Sequence, residues 1–368
     1  MISFKTKTFV FFSLLFYTFI SKEINHRPII GILTLPYHGN TRSYVEDSYV
    51  RMIESSGARA VPIRWNSSRR IIDFILNSVN GVLIQGNHYT NLVQNPRSLF
   101  AFRKKHFKRI DETSFYILTK AFEFNKKGIH FPVWLDNYGF QFLITNFSKN
   151  KSILSNVGLE SYSSSLYLND MEMDKNDIFE LISKNKTLIS ELTENIKNKK
   201  QTNFNNVLKY KMFKGFEIKE LNRITTKKTM FFNTKTSVLL KDFVQSQELM
   251  KHIFPTSFVL DKNGNLTVSS FEFKNFPFYG TNFEVDKLAY TLINHDHILH
   301  SHSNIQINRK FSDFFIEECK RNYQKFTDKR SEINMIFEAY KIHYDHRMKR
   351  FIYIIRPGDD ENDDVSFD

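Results

Sequence analysis

The stretch 131-FPVWLDNYGFQFL-143 decides how this chain is read. Phe131 to Leu135 is an apolar run of strand length, broken sharply at Asp136-Asn137. Tyr138-Gly139-Phe140 then opens a second apolar run, which reads as a helix. A strand that turns abruptly into a helix is the elbow on which many hydrolases mount a nucleophile. Here the residue at the turn is Asn137, whose carboxamide has no nucleophilic electron pair at neutral pH. Two readings stand: an elbow kept as architecture with its chemistry removed, or a turn that has relaxed. Asn suits the first, because Asn and Asp tolerate left-handed backbone best among residues with a side chain.

The flanking sequence sets this elbow in an alternating pattern. "RPIIGILTLP" (27–36) is a short apolar run that reads as a buried strand. "SYVEDSYVRMIESSGA" (43–58) reads as a helix ending at Gly57, and "RAVPIRW" (59–65) as the next strand. "RRIIDFILNSV" (69–79) is amphipathic at helical spacing, and "NGVLIQGN" (80–87) is again a short buried strand. A helical region over 88–128 leads back to the elbow. The order β-α-β-α-β-α-β-α predicts an α/β fold, a mostly parallel central sheet with helices on both faces. Further on, "DKNGNL" (261–266) reads as a hairpin turn in which Asn263-Gly264 supplies positive φ. Residues 309–326 read as a helix, and residues 327–356 as an additional C-terminal helix.

Lys and Arg number 52 against 39 Asp and Glu, a formal charge of +13 that favours acidic ligands. Much of it is local: residues 184–230 hold twelve Lys/Arg and four acids, and residues 150–230 read as a polar, basic, solvated insertion. No zinc-finger or RNA-binding signature accompanies the charge, so a nucleic-acid partner is not expected. Residues 1–22 combine Lys5 and Lys7 with the apolar run "FVFFSLLFYTFI" (9–20), a signal peptide or an N-terminal anchor. That places the chain in the secretory pathway, outside the cell or in a lysosome or vacuole. N-x-S/T sequons at Asn66, Asn146, Asn150, Asn185 and Asn265 accord with a glycoprotein. The single cysteine, Cys319, excludes an intrachain disulfide and reads as a helix-surface or interface thiol rather than a nucleophile. "HDHILHSH" gathers His295, Asp296, His297, His300 and His302, but without a metalloprotease helix pattern it reads as a polar loop with no metal. The tail, residues 357–368, is acidic and reads as disordered.

Together these segments resemble the gamma-glutamyl hydrolase family, of the class I glutamine amidotransferase-like fold. "SYVRMIESSGARAVPIRW" (48–65) is similar to that family's helix–Gly–strand segment, and "RPIIGIL" to its first strand. "FPVWLDNYGFQ" is similar to its nucleophile elbow, and "FPFYGTNFEVDK" to the late strand that carries its histidine. The resemblance covers most of 27–326, with 88–130 and 150–230 poorly matched. The family's elbow is Gly-x-Cys-x-Gly; here it is Leu135, Asp136, Asn137, Tyr138, Gly139. The family's Trp-His-Pro-Glu-Lys stands here as Phe283, Glu284, Val285, Asp286, Lys287. Its Pro-Gly-Gly corresponds to Gln85, Gly86 and Asn87, so Gly86, Asn87 and Tyr138 would line an oxyanion and substrate cleft. The family reaction is hydrolysis of gamma-glutamyl bonds of folylpoly-gamma-glutamates, without a cofactor. It needs a thiolate and an imidazole that passes on its proton. With Asn137 and Glu284 in those places, and Asp286 as the shortened acidic partner, the resemblance implies an inactive member. An active gamma-glutamyl peptidase with altered chemistry and a purely structural or binding secretory glycoprotein are the alternatives. Implied partners are a folate polyglutamate or other acidic ligand, and a second copy or an active paralogue in a dimer.

Overall fold

The computed structural model describes residues 24–37, 42–86, 100–170, 186–198, 202–291 and 298–357. The leader, the acidic tail from residue 358, Asn87, Asn185 and His295, Asp296 and His297 lie outside the described residues. The strands are β1 (Ile29–Leu33), β2 (Leu35–Pro36), β3 (Ser43–Glu46), β4 (Arg59–Ile63), β5 (Gly81–Ile84), β6 (Val133–Asp136) and β7 (Leu154–Ser164). They continue with β8 (Tyr167–Leu168), β9 (Met230–Val238), β10 (Ile253–Leu260), β11 (Leu266–Phe273), β12 (Phe278–Thr281), β13 (Ile342–Asp345) and β14 (Arg350–Ile355). The helices are α1 (Asp47–Ser55), α2 (Arg69–Ser78), α3 (Phe100–Lys126), α4 (Tyr138–Ser148), α5 (Lys186–Lys197) and α6 (Phe204–Val207). After these come α7 (Ile218–Thr226), α8 (Leu240–Gln245), α9 (Gln247–His252), α10 (Lys287–Tyr290), α11 (His302–Cys319) and α12 (Lys329–Met335).

The protein is α/β, built on an eight-stranded sheet in the order β4-β1-β5-β6-β12-β11-β10-β8. The pairs from β4 through β12 are parallel, and β12-β11, β11-β10 and β10-β8 are antiparallel. Strand residues alternate between two cores, as the period of two requires. Ile29 and Leu33 of β1, Val82 and Ile84 of β5, and Val133 and Leu135 of β6 face one core, which α2, α3 and α4 cover. Ile30 and Ile32, Leu83, and Trp134 face the other, under α1, α7 and α11. Both faces are buried, which is why these strands read as continuous apolar runs.

Five expectations need correction. Residues 43–46 are strand rather than helix; β3 belongs to a second sheet, β13-β14-β3-β2, and α1 starts only at Asp47. The expected C-terminal helix over 327–356 is a single short helix, α12, followed by the hairpin β13–β14. The reason is visible in Arg350–Ile355. Ile352 and Ile354 pack on the first core while Tyr353 and Ile355 pack on the second, the alternation of a strand, and Asp345 accepts the amides of Arg347 and Met348 at 2.8 Å each to close the turn. In the hairpin at 261–266 only Gly264 has positive φ (80°); Asn263 does not, because the Asp261 side chain holds a longer loop by accepting the amides of Asn263 and Asn265.

The basic middle is also not simply a solvated insertion. Tyr210, Met212, Phe213, Leu221 and Ile224 are buried in the second core, and Phe213 meets Phe311 of α11 edge-on at 5.8 Å. Lysines such as Lys211 and Lys219 stay on the outside of this segment. The helix expected over 309–326 runs over His302–Cys319.

Candidate functional site

Parallel strands place their carboxyl ends on one edge, and ligands of open α/β sheets bind beyond that edge. Three chain segments meet there. Gly86 follows β5, Asp136-Asn137 ends β6, and Asn282 to Asp286 follow β12. Asn137 sits between β6 and α4 with φ 40° and ψ −88°, so the elbow is retained rather than relaxed. A side-chain-bearing residue in such a conformation costs about 1–3 kcal/mol and persists only where its surroundings hold it. Here the Asn137 amide donates to Thr281 O at 2.8 Å, which ties the turn to β12.

Two glycines make the close packing feasible. A Cβ on Gly86 would lie 2.3 Å from Cβ of Asn137, and one on Gly139 would lie 2.7 Å from the carbonyl oxygen of Ile84. The second contact is with backbone, which cannot move aside cheaply. Leu135, two residues before Asn137, points its side chain into the first core, away from the turn.

The Asn137 carboxamide is held at both ends. Its Nδ2 faces Oε1 of Glu284 at 3.5 Å, and its Oδ1 accepts from Nε2 of Gln141 at 3.3 Å. Gln141, one turn along α4, is itself fixed by Thr234 Oγ1 (2.8 Å), by Thr236 O (2.9 Å) and by the Thr236 hydroxyl (3.1 Å). Asp136 accepts from the Tyr49 hydroxyl at 2.5 Å and from the Thr281 hydroxyl at 3.0 Å. Asp286 accepts from the Ser48 hydroxyl at 2.5 Å and from the Lys287 ammonium. Lys287 also donates to Glu46 at 2.7 Å and lies 3.8 Å from Glu284. Arg350, reaching in from β14, donates to both oxygens of Glu46 at 2.7 and 2.6 Å.

All of this is out of water. Asn137 and Asp286 are 0% exposed, and Asp136 and Glu284 1%. Four carboxyl groups (Glu46, Asp136, Glu284, Asp286) therefore share two cations, Lys287 and Arg350, in a low-dielectric interior. The resolved shifts divide accordingly. Burial pushes Glu46 up, but Arg350 and Lys287 outweigh it and hold the carboxyl at about 2. Burial pushes Glu284 up to about 7 against the pull of Lys287 and Arg350. Asp136 goes well above the usual carboxylate range through burial and the neighbouring Asp286. Burial opposes the charge on Lys287, but Asp286 and Glu46 raise its pKa all the same.

Of the residues singled out from sequence, Asn137, Glu284, Asp286 and Gly86 come together in this cluster. Tyr138 does not: its hydroxyl turns to Asp111 of α3 at 2.7 Å. His300 Nδ1 pairs with the Leu288 carbonyl at 2.8 Å, and His302 opens α11. Cys319, expected at a helix surface or interface, is instead buried at the other end of the sheet, where its Sγ lies 2.6 Å from the point a Gly81 Cβ would occupy. Burial, with Glu318 beside it, raises its thiol well above the usual range, so it supplies no thiolate. Sequence reasoning missed Glu46, Ser48, Tyr49, Gln141 and Arg350. Only Gln141 carried a signal, its i+4 spacing from Asn137 on a helix that begins at the elbow.

A family model described as Peptidase C26 matches residues 28–145, a span that includes the elbow and stops well before Glu284. Gamma-glutamyl hydrolase B of Dictyostelium discoideum is 24% identical over 329 residues, covering 86% of this chain and 81% of that protein. Gamma-glutamyl hydrolase 1 of Arabidopsis thaliana is 23% identical, covering 86% of this chain and 78% of its own. The gamma-glutamyl hydrolase of Mus musculus is 26% identical and covers 83% of each chain.

Proposed function

We propose that this chain, which matches the gamma-glutamyl hydrolase family along most of its described length, is a catalytically inactive member of it. The observation that carries the reading is the state of Asn137. It occupies a strained elbow, is wholly buried, and spends its carboxamide on Glu284 and Gln141. Acyl transfer at such an elbow needs an exposed nucleophile and a base that can both take and return a proton. A carboxamide offers no attacking pair, and with Asn137 and Glu284 both buried neither is presented to a substrate.

The test is a sensitive assay on a gamma-glutamyl peptide with the wild type, Asn137→Ala, and Asn137→Cys combined with Glu284→His. Wild type and Asn137→Ala should be equally silent. Wild-type turnover abolished by Asn137→Ala would overturn the reading. The double variant should also stay silent, because its thiol would lie in a sealed cluster; turnover by it would show that substrate reaches the elbow.

The secretory location belongs to the same proposal. Asn146 and Asn150 are exposed and stand in sequons, so the chain expressed in a eukaryotic secretory system should shift in mobility on glycosidase digestion. No shift, with the chain recovered from the cytosol, would remove the secretory proposal.

A further inference from the structure

A hollow of about 590 Å³ lies at the N-terminal ends of β6 and β12, the opposite end of these strands from Asn137. Segments distant in sequence converge on it. Ile129 and His130 come from the approach to β6, and Phe276 from the approach to β12. Lys211 comes from the middle segment, and Arg321 and Tyr323 from the exit of α11. Its volume falls in the range of small-molecule sites, about 300–1,000 Å³.

The charge of this hollow is one-sided. Among the described residues, no acidic one lines it. Two carboxyl groups sit behind the lining: buried Glu272 accepts the Lys211 amide at 3.2 Å, and Glu318 meets His130 Nε2 at 3.1 Å, the Tyr279 hydroxyl at 2.9 Å and Arg321 Nη1 at 2.9 Å. Burial pushes the Glu318 carboxyl up, but His130 and Arg321 outweigh it and hold it at about 2, so it stays ionised and keeps the guanidinium in place. Arg321 remains 60% exposed, which leaves guanidinium N–H groups facing solvent beside the exposed Lys211. Phe276 and Tyr323, the latter 44% exposed, add aromatic surface. An anchored guanidinium, a second cation and two rings around one hollow are the groups that recognise a flat anion.

We propose that this hollow binds a small aromatic anion, with its ring against Phe276 and Tyr323 and its phosphate or carboxylate on Arg321 and Lys211. The site is independent of the elbow and of whether the elbow is catalytic.

Calorimetric titration with 4-nitrophenyl phosphate, AMP and benzoate tests it, with inorganic phosphate and adenosine as half-ligand controls. At least one aromatic anion should bind with Kd below about 1 mM, and each control at least about tenfold more weakly. A preference for the first two over benzoate assigns a phosphate ligand; the reverse assigns a carboxylate. Arg321→Gln and Lys211→Met should each weaken binding about tenfold, and Tyr323→Ala less, while Asn137→Ala leaves it unchanged. Absence of binding by all three anions overturns the proposal. So does binding that ignores both charge substitutions, or inorganic phosphate binding as tightly as its aryl ester. Should a variant fold poorly, the ring protons of Tyr323 in the wild type give the answer: they must shift on titration, and constancy counts against the site.

Discussion

Lys287→Met is expected to cost about 3–5 kcal/mol of folding stability at neutral pH, the toll of leaving buried carboxylates without their cation. The ammonium is 2% exposed, touches Asp286 and Glu46, and lies within 4 Å of Glu284. With Met in its place, four carboxyl groups would share Arg350 alone. Against a typical total of about 5–15 kcal/mol, such a loss leaves a large fraction unfolded. Urea denaturation followed by tryptophan fluorescence measures it, since Trp134 lies beside the network in β6. Part of the loss should return near pH 4, where the carboxyls can be neutral. A deficit below about 1 kcal/mol at pH 7 would mean that the cluster is wet or the contacts are not formed, because exposed pairs are worth no more than that.

The second expected result is a stability that falls as pH rises from about 5 to 8. The sign follows from the raised carboxyls. Glu284 moves from its ordinary 4.5 to about 7, and Glu272, buried in β11 and accepting only the Lys211 amide through one oxygen, moves to about 8. Each binds a proton in the folded chain that the unfolded chain has already released, so raising the pH through this window favours unfolding. The shifts correspond to an order of 3–5 kcal/mol for each group at the top of the window. Asp136 acts in the same sense. Glu46 and Glu318, held at about 2, act in the opposite sense but only below about 4.5, where acid removes their contribution. The maximum should therefore fall near pH 5. Urea midpoints at pH 5, 6, 7 and 8 check this, and Glu284→Gln should flatten the decline without abolishing it. A flat or rising profile over that range would be incompatible with buried, protonated Glu284 and Glu272.

How much of this was written in the sequence depends on which physical signal a residue carries. Buried parallel strands announce themselves as apolar runs, so β1, β4, β5 and β6 were legible, and the elbow was visible as an abrupt change of period at Asp136-Asn137. The resemblance then paired Asn137 with Glu284, and the two lie 3.5 Å apart. What was not legible is charge that goes inside. Glu46, Lys287 and Arg350 are polar letters with no periodic mark of burial, and they are buried only because each finds a partner 241 to 304 residues away. The same blindness made the basic middle read as solvated. Its lysines dominate the composition, while Tyr210, Phe213 and Ile224, which fix it to α11 and the sheet, are sparse. The hairpin β13–β14 was read as a helix because its apolar residues are dense enough to satisfy either period. Its pairing with β3 at the far end of the chain decides the matter.

That pairing has a consequence for how the molecule is made. Ile352 sits opposite Glu46, and Arg350 of the same strand pairs with Glu46 across 304 residues, so the cation is synthesised long after the anion it neutralises. Until then the amino-terminal third holds an anion destined for the interior with Arg350 still untranslated. Closing so long a loop is slow relative to local contacts. The native surroundings of Glu46 are thus complete only once β14 has been made and has docked on β3.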